Sequence, residues 1–216
     1  MFFLRAIMLC FGAVLSVFAI ELEATGYRFI EDEMQRVRVV ALESPTQERW
    51  RKILSGAERA SLETTFKVTR QDDQGGVGLS SKELFVFNGG QLSPRGRATL
   101  ARLADYLKGI PGDEIVIVAH SESGASEEQN QLETLELAWQ IAEFLIERHD
   151  LPPELFSLVG AGSTEPVFLE AGPNSINWLE SKANNRRIEL IFPLVPGERV
   201  QRRAFNVAAT GITVSR

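Results

Sequence analysis

Cysteine is almost missing from these 216 residues: Cys10 stands alone, which excludes a disulfide framework and a cysteine-ligated metal site. Nor is Cys10 a lipidation site, because Ile7, Met8 and Leu9 before it lack the small residue such a site needs. Histidine is nearly as scarce, with His120 and His149 only. Neither has a serine nucleophile elbow or a metal-spaced partner, so the sequence assembles no hydrolytic triad and no metal centre. Positive charge is outnumbered, giving a net charge of −6 and no basic stripe that could neutralise a run of phosphates. Nucleic acid is therefore excluded as a partner, and the local excess of Arg199, Arg202 and Arg203 reads as a solvated tail. Gly160 and Gly162 form a lone glycine pair without the rest of a dinucleotide fingerprint, so no cofactor is expected and the pair reads as a turn.

The chain is 44% apolar and 24% charged, the composition of a globular protein with room for one ordinary domain and flanking pieces. Residues 1–20 read as an export segment. Arg5 gives a positive flank, Ala6 to Ile20 are apolar apart from Gly12 and Ser16, and Glu21 and Glu23 follow. The run falls short of the roughly 20 residues that span a bilayer. Val17, Phe18 and Ala19 offer a signal peptidase small residues at the right places. A cleaved signal or an uncleaved transmembrane anchor both fit, and both send the remainder out of the cytoplasm.

Residues 21–62 are expected to be a spacer or accessory helical region, with a short strand or helix over Arg36 to Leu42 and a helix opening at Ser44 and Pro45. The compact domain is expected over 63–193. Thr64 to Thr69 and Val77 to Ser80 suggest a hairpin, and Glu83 to Phe87 a strand. Ser93 and Pro94 open a helix with Leu100, Leu103, Ala104 and Leu107 on one face. Glu114 to Ala119 reads as a buried strand ending in His120, Ser121 and Glu122. Ser126, with Gln129 completing a capping box, starts a helix from about Glu127 to His149. Its apolar stripe is expected to run Leu132, Leu135, Trp139, Ala142, Ile146. A strand over Phe156 to Val159, a surface insertion over 167–181, a polar run from Lys182 to Arg187 and a last strand over Ile188 to Phe192 follow. Residues 194–216 read as a flexible C-terminal tail. Strands alternating with helices after an initial hairpin point to an α+β sandwich, a mixed sheet with helices on one face. The turn leaving a strand's carboxyl end is where such sheets meet ligands, which places the working surface around 119–130.

Five passages in order resemble one family. Leu84 to Asn88 with Gln91 to Pro94, Ala119 to Glu122, Asn130, Gly160 to Pro166, and Asn185 to Glu189 are similar to the successive motifs of the OmpA/MotB C-terminal domain. That module is periplasmic and binds peptidoglycan in its relatives. The resemblance spans roughly Thr64 to Phe192 and implies a non-enzymatic envelope protein, in the periplasm of a Gram-negative-type bacterium or anchored in its inner membrane. It implies non-covalent binding of the diaminopimelate in a peptide stem, with Ser121, Glu122, Asn130, Arg186 and Arg187 as ligand-binding residues. In the family an aspartate grips the ligand's ammonium and an arginine on the following helix its carboxylate, a charge-assisted pair that fixes orientation. Glu122 occupies the acid position, and Leu137 stands where the arginine is expected. Losing one charged hydrogen bond, worth about 1.5–3 kcal/mol, costs roughly ten- to a hundredfold in affinity, unless Arg186 or Arg187 substitutes. The alternative is an OmpA-like domain that has lost the cell wall and docks a protein of an envelope complex through the face around Leu137. No acid interrupts the apolar N-terminal run, which disfavours a proton-conducting stator. His120 is expected to be a strand-end histidine bonded to neighbouring backbone rather than a general base.

Overall fold

The computed structural model describes residues 19–22, 26–32, 36–41, 50–86, 90–124, 126–168 and 177–201. In chain order the elements are β1 (Ala19–Leu22), β2 (Tyr27–Asp32), β3 (Arg36–Ala41), α1 (Gly56–Phe66), β4 (Thr69–Gln71), β5 (Gln74–Ser80), the one-turn α2 (Ser81–Leu84), α3 (Pro94–Leu107), β6 (Ile115–His120), α4 (Glu127–His149), β7 (Phe156–Gly162), α5 (Trp178–Asn185) and β8 (Arg187–Pro193). The strands form one sheet in the order β1-β2-β3-β7-β6-β8-β5-β4. β6 and β7 run parallel, joined by the α4 crossover, and the other pairs are antiparallel.

The two-residue period of the strands sorts their side chains between two cores. Ile115, Ile117, Ala119, Leu158, Ile188, Leu190 and Phe192 join α3 and α4 in the main core. Val116, Val118, Val159, Ala161 and Ile191 face the other way and meet Val200. Every residue of β6 is therefore buried, which is why it reads as an unbroken apolar run. The α+β architecture is as expected, a mixed sheet with helices on one face.

Local chemistry sets the helix ends. The Ser93 hydroxyl accepts from the Gly96 N–H at 2.8 Å, and Pro94 sits where no N–H is needed. α4 ends on Asp150 in the left-handed region, followed by Pro152. Its buried line is Asn130, Thr134, Ala138, Ile141 and Leu145 with Ala142 and Ile146. Leu132, expected in the stripe, is 47% exposed and lies off that buried line.

Several expectations are corrected. Residues 27–32 and 36–41 are strands of the same sheet, with Val37 opposite Leu158 of β7, so the strand alternative holds at Arg36–Ala41 and this part of the expected helical spacer belongs to the sheet. Tyr27 and Phe29 meet Trp139 of α4 edge-on, the Phe29 ring at 4.6 Å, so the added strands bury an aromatic face. Thr64 to Phe66 is the last turn of α1, which Lys67 closes in the left-handed region; the hairpin is β4–β5. Of the strand expected over Glu83 to Phe87, Glu83 and Leu84 end α2 and Phe85 makes a single bridge with Leu92; α3 is seated so tightly that a Cβ on Gly96 would lie 2.1 Å from the Leu84 carbonyl. The polar stretch before the last strand is helix α5. Residues 194–201, expected within a flexible tail, are held: the Leu194 N–H donates to the Asp73 carbonyl at 2.7 Å, and the Gln201 N–H to Gln74 Oε1 at 2.9 Å.

The apolar run 1–18, the proposed helix start at 44 and 45, and the tail beyond 201 lie outside the described residues. Among the described residues no helix is long and apolar enough to cross a membrane.

Candidate functional site

At the carboxyl end of β6 the chain leaves the sheet at Ser121, whose N–H donates to the Gly162 carbonyl at 2.8 Å. It crosses residues 121–124 and enters α4, where the Ser126 hydroxyl accepts from the Gln129 N–H at 3.3 Å. The Gln129 side chain does not complete the capping box; it donates to Glu133 Oε1 at 2.8 Å. The glycine pair is not a turn either. Both lie in β7, where a Cβ on Gly160 would stand 2.1 Å from the Gln131 carbonyl. Gly162 holds φ +55° with Glu127 Oε1 2.0 Å from its missing Cβ position. These glycines let the first turns of α4 touch the strand.

That contact is stitched by polar groups. Glu127 accepts from the Ser163 N–H at 3.2 Å and the Ser163 hydroxyl at 2.7 Å. Asn130, 4% exposed, donates to the Ser163 hydroxyl at 3.3 Å. The Thr134 hydroxyl donates to the Asn130 carbonyl at 2.7 Å and accepts from the Gly162 N–H at 3.1 Å. Asn130 thus has a structural bond and also borders the opening beside it.

The opening is a cleft of about 390 Å³ between the 121–124 loop, one face of α4 and the end of α5. Ser121, Glu122, Asn130 and Arg186, all anticipated, line it together, and so does Leu137. Glu122, its side chain 30% exposed, has Arg186 Nε 3.0 Å from Oε2 and Lys182 Nζ 3.7 Å from Oε1. The arginine approaches off the axis of its N–H, so the contact is an ion pair more than a directed hydrogen bond. Lys182 also donates to the Ser123 carbonyl at 2.8 Å and lies 4.9 Å from the Trp178 ring centroid. Glu133 and Thr134 complete the α4 wall, and Ser81 closes the far side. The Ser81 and Ser121 hydroxyls have no hydrogen-bond partner among the described residues.

Arg187, expected at the site, is absent from the lining. It is 2% exposed and turned the other way, donating from Nε to Glu189 Oε1 at 2.7 Å and from Nη2 to the Glu165 carbonyl at 3.1 Å. His120 shares that pair: its Nε2 lies 3.5 Å from Glu189 Oε1, misaligned for a hydrogen bond, and no described residue bonds Nδ1. The expected bond from His120 to neighbouring backbone is therefore replaced by a carboxylate contact across the strands. Burial lowers the His120 pKa, outweighing Glu189, and the ring is neutral at pH 7. Burial alone would raise Glu189, but His120, once it is protonated, and Arg187 hold it below the usual carboxylate value.

Sequence reasoning missed Glu133, Lys182 and Ser81. Lys182 lies in α5 and Arg186, four residues on, is its C-cap, a signal that depends on recognising α5. The described residues hold no cluster of side chains that could bind a metal ion.

Residues 84–177 match the sequence profile of the OmpA family. Among solved structures, the cell wall anchor of the T6SS from Pseudomonas aeruginosa is 21% identical with a TM-score of 0.52, covering 66% of this chain and 99% of that one. A MotB-like protein from Desulfovibrio vulgaris is 17% identical with a TM-score of 0.52, covering 63% and 92% respectively. At these identities the likeness is one of fold. No curated protein matches the chain by sequence.

Proposed function

We propose, from the match of residues 84–177 to the OmpA family, that the chain is a non-enzymatic, periplasmic envelope protein that carries a divergent OmpA-family domain and holds peptidoglycan non-covalently. The cleft takes the free end of a diaminopimelate side chain, which carries an ammonium and a carboxylate on one carbon. The observation that carries this reading is Arg186, 3.0 Å from Glu122 on the same lining. Leu137 removes the cation expected on α4, and Arg186 restores one from the β8 side. A group with both signs of charge can then be gripped at two points, which fixes its orientation. The bare hydroxyls of Ser81 and Ser121 add polar contacts at the floor.

The chain is expected to sediment with purified sacculi, and Arg186→Ala to reduce its affinity roughly tenfold or more, the equivalent of one charged hydrogen bond. Undiminished retention of Arg186→Ala would remove the two-point grip. If the chain ignores sacculi altogether, the docking of an envelope protein takes precedence, with Leu137 in the wall of the same cleft as its first contact.

A further inference from the structure

Resting on the reading of a zwitterionic ligand, we infer that Glu133, not Glu122, receives the ligand's ammonium, and that Arg186 receives its carboxylate. The cleft is polarised across its width. On the α5 side Lys182 and Arg186 carry two positive charges against one negative on Glu122, leaving one positive in excess. Each oxygen of Glu122 already faces one of these cations, at 3.7 Å and 3.0 Å. The α4 side carries one negative charge, Glu133, whose partner is the neutral amide of Gln129 at 2.8 Å. Leu137, one turn further along that wall, adds no charge.

The donors agree with the charges. Arg186 turns Nε toward Glu122, and no hydrogen bond among the described residues engages its two terminal nitrogens, so a planar pair of N–H groups remains for a carboxylate. Gln129 holds Glu133 from one side through a single oxygen and leaves the other for an ammonium. A ligand placed the other way would set its ammonium beside two cations and its carboxylate beside Glu133. Like charges in contact disfavour that orientation. The polarity is thus opposite to the one the resemblance implies, where the acid on the loop takes the ammonium and α4 supplies the cation. Glu122 becomes the residue that holds Lys182 and Arg186 in place.

Calorimetric titration of the chain with a stem tetrapeptide ending in meso-diaminopimelate separates the two carboxylates. Glu133→Gln is expected to weaken binding at least tenfold with an unchanged unfolding midpoint and to become indifferent to acetylation of the ligand's side-chain amine, while Glu122→Gln, whatever affinity it loses, still prefers the free amine to the acetylated one. A tetrapeptide with lysine in place of diaminopimelate keeps its dependence on Glu133 and loses its dependence on Arg186. An undiminished affinity or a persisting preference for the free amine in Glu133→Gln, or the loss of that preference in Glu122→Gln, overturns the assignment while the zwitterion reading stands. Failure of the unaltered chain to bind overturns that reading, and this assignment with it.

Discussion

Two carboxylates flank the central strand β6, Glu114 just before its start and Glu122 just beyond its end, and each meets an arginine. Their surroundings differ. Glu114 accepts from the Ser157 hydroxyl at 3.0 Å, the Val200 N–H at 3.0 Å and Arg36 at 3.5 Å, and Arg36 also donates to the Val200 carbonyl at 3.0 Å. Three separate parts of the chain are tied there, β3, β7 and the segment after β8, and the acceptor is satisfied. Among the described residues Glu122 has two cations and no hydrogen bond, and it stands at an opening lined by hydroxyls that no described residue bonds. Similar residue types make a closed fastening where donors surround them and part of the wall of an open cleft where they do not.

The largest expected effect lies behind the cleft. Arg187→Ala leaves Glu189 buried with a neutral histidine for company, and the loss should be about 3–5 kcal/mol by urea unfolding. A loss similar to that of Arg186→Ala, which changes an exposed pair worth about 0–1 kcal/mol, would erase the distinction between neighbouring arginines. Glu114→Ala should cost about 1–3 kcal/mol by stranding the Val200 N–H and Arg36, while sacculus binding by the folded chain persists. If binding falls with it, the two ends of β6 are not independent.

The smallest effect is one of pH. The folded pKa of His120 lies below its ordinary value of 6.5, so the unfolded chain takes up the proton first. Its contribution is whole above pH 6.5 and is lost as pH falls from there through the folded value. Glu189, lowered from 4.5, adds a second loss below pH 4.5 as pH falls through its own folded value. Unfolding midpoints measured from pH 8 to pH 4 should decline in that order, and His120→Asn should flatten the upper part. Facing His120 are Glu189, Arg187 and Glu165, and a midpoint that rose on acidification would mean that the carboxylates prevail.

The sequence reveals the core of the fold because its signals are local. Ser93 with Pro94, Ser126, and the unbroken apolar run of β6 each announce themselves within a few residues. α5 does not: Asn177 makes no side-chain cap, and the residues the helix buries, Ser181 and Asn185, are polar, so no apolar stripe marks it. Asn185 is buried for a tertiary reason, clamping the backbone of Val167 and Phe168 with three hydrogen bonds. The added strands β1 to β3 depend on pairing with β7, far away in sequence. In the site, the loop acid and the α4 amide follow from position along motifs, whereas the choice between Arg186 and Arg187 is a one-residue question of which way β8 begins. Glu133 looks like any solvated charge until α5 is in place opposite it.

The most direct test of the cleft is a backbone amide NMR titration of the chain with the diaminopimelate tetrapeptide. The account predicts shifts at Ser121, Glu122, Glu133, Leu137 and Arg186, with Glu114, Ser157 and Val200 unmoved. Shifts confined to the Glu114 end, or none at all at saturating peptide, would contradict it.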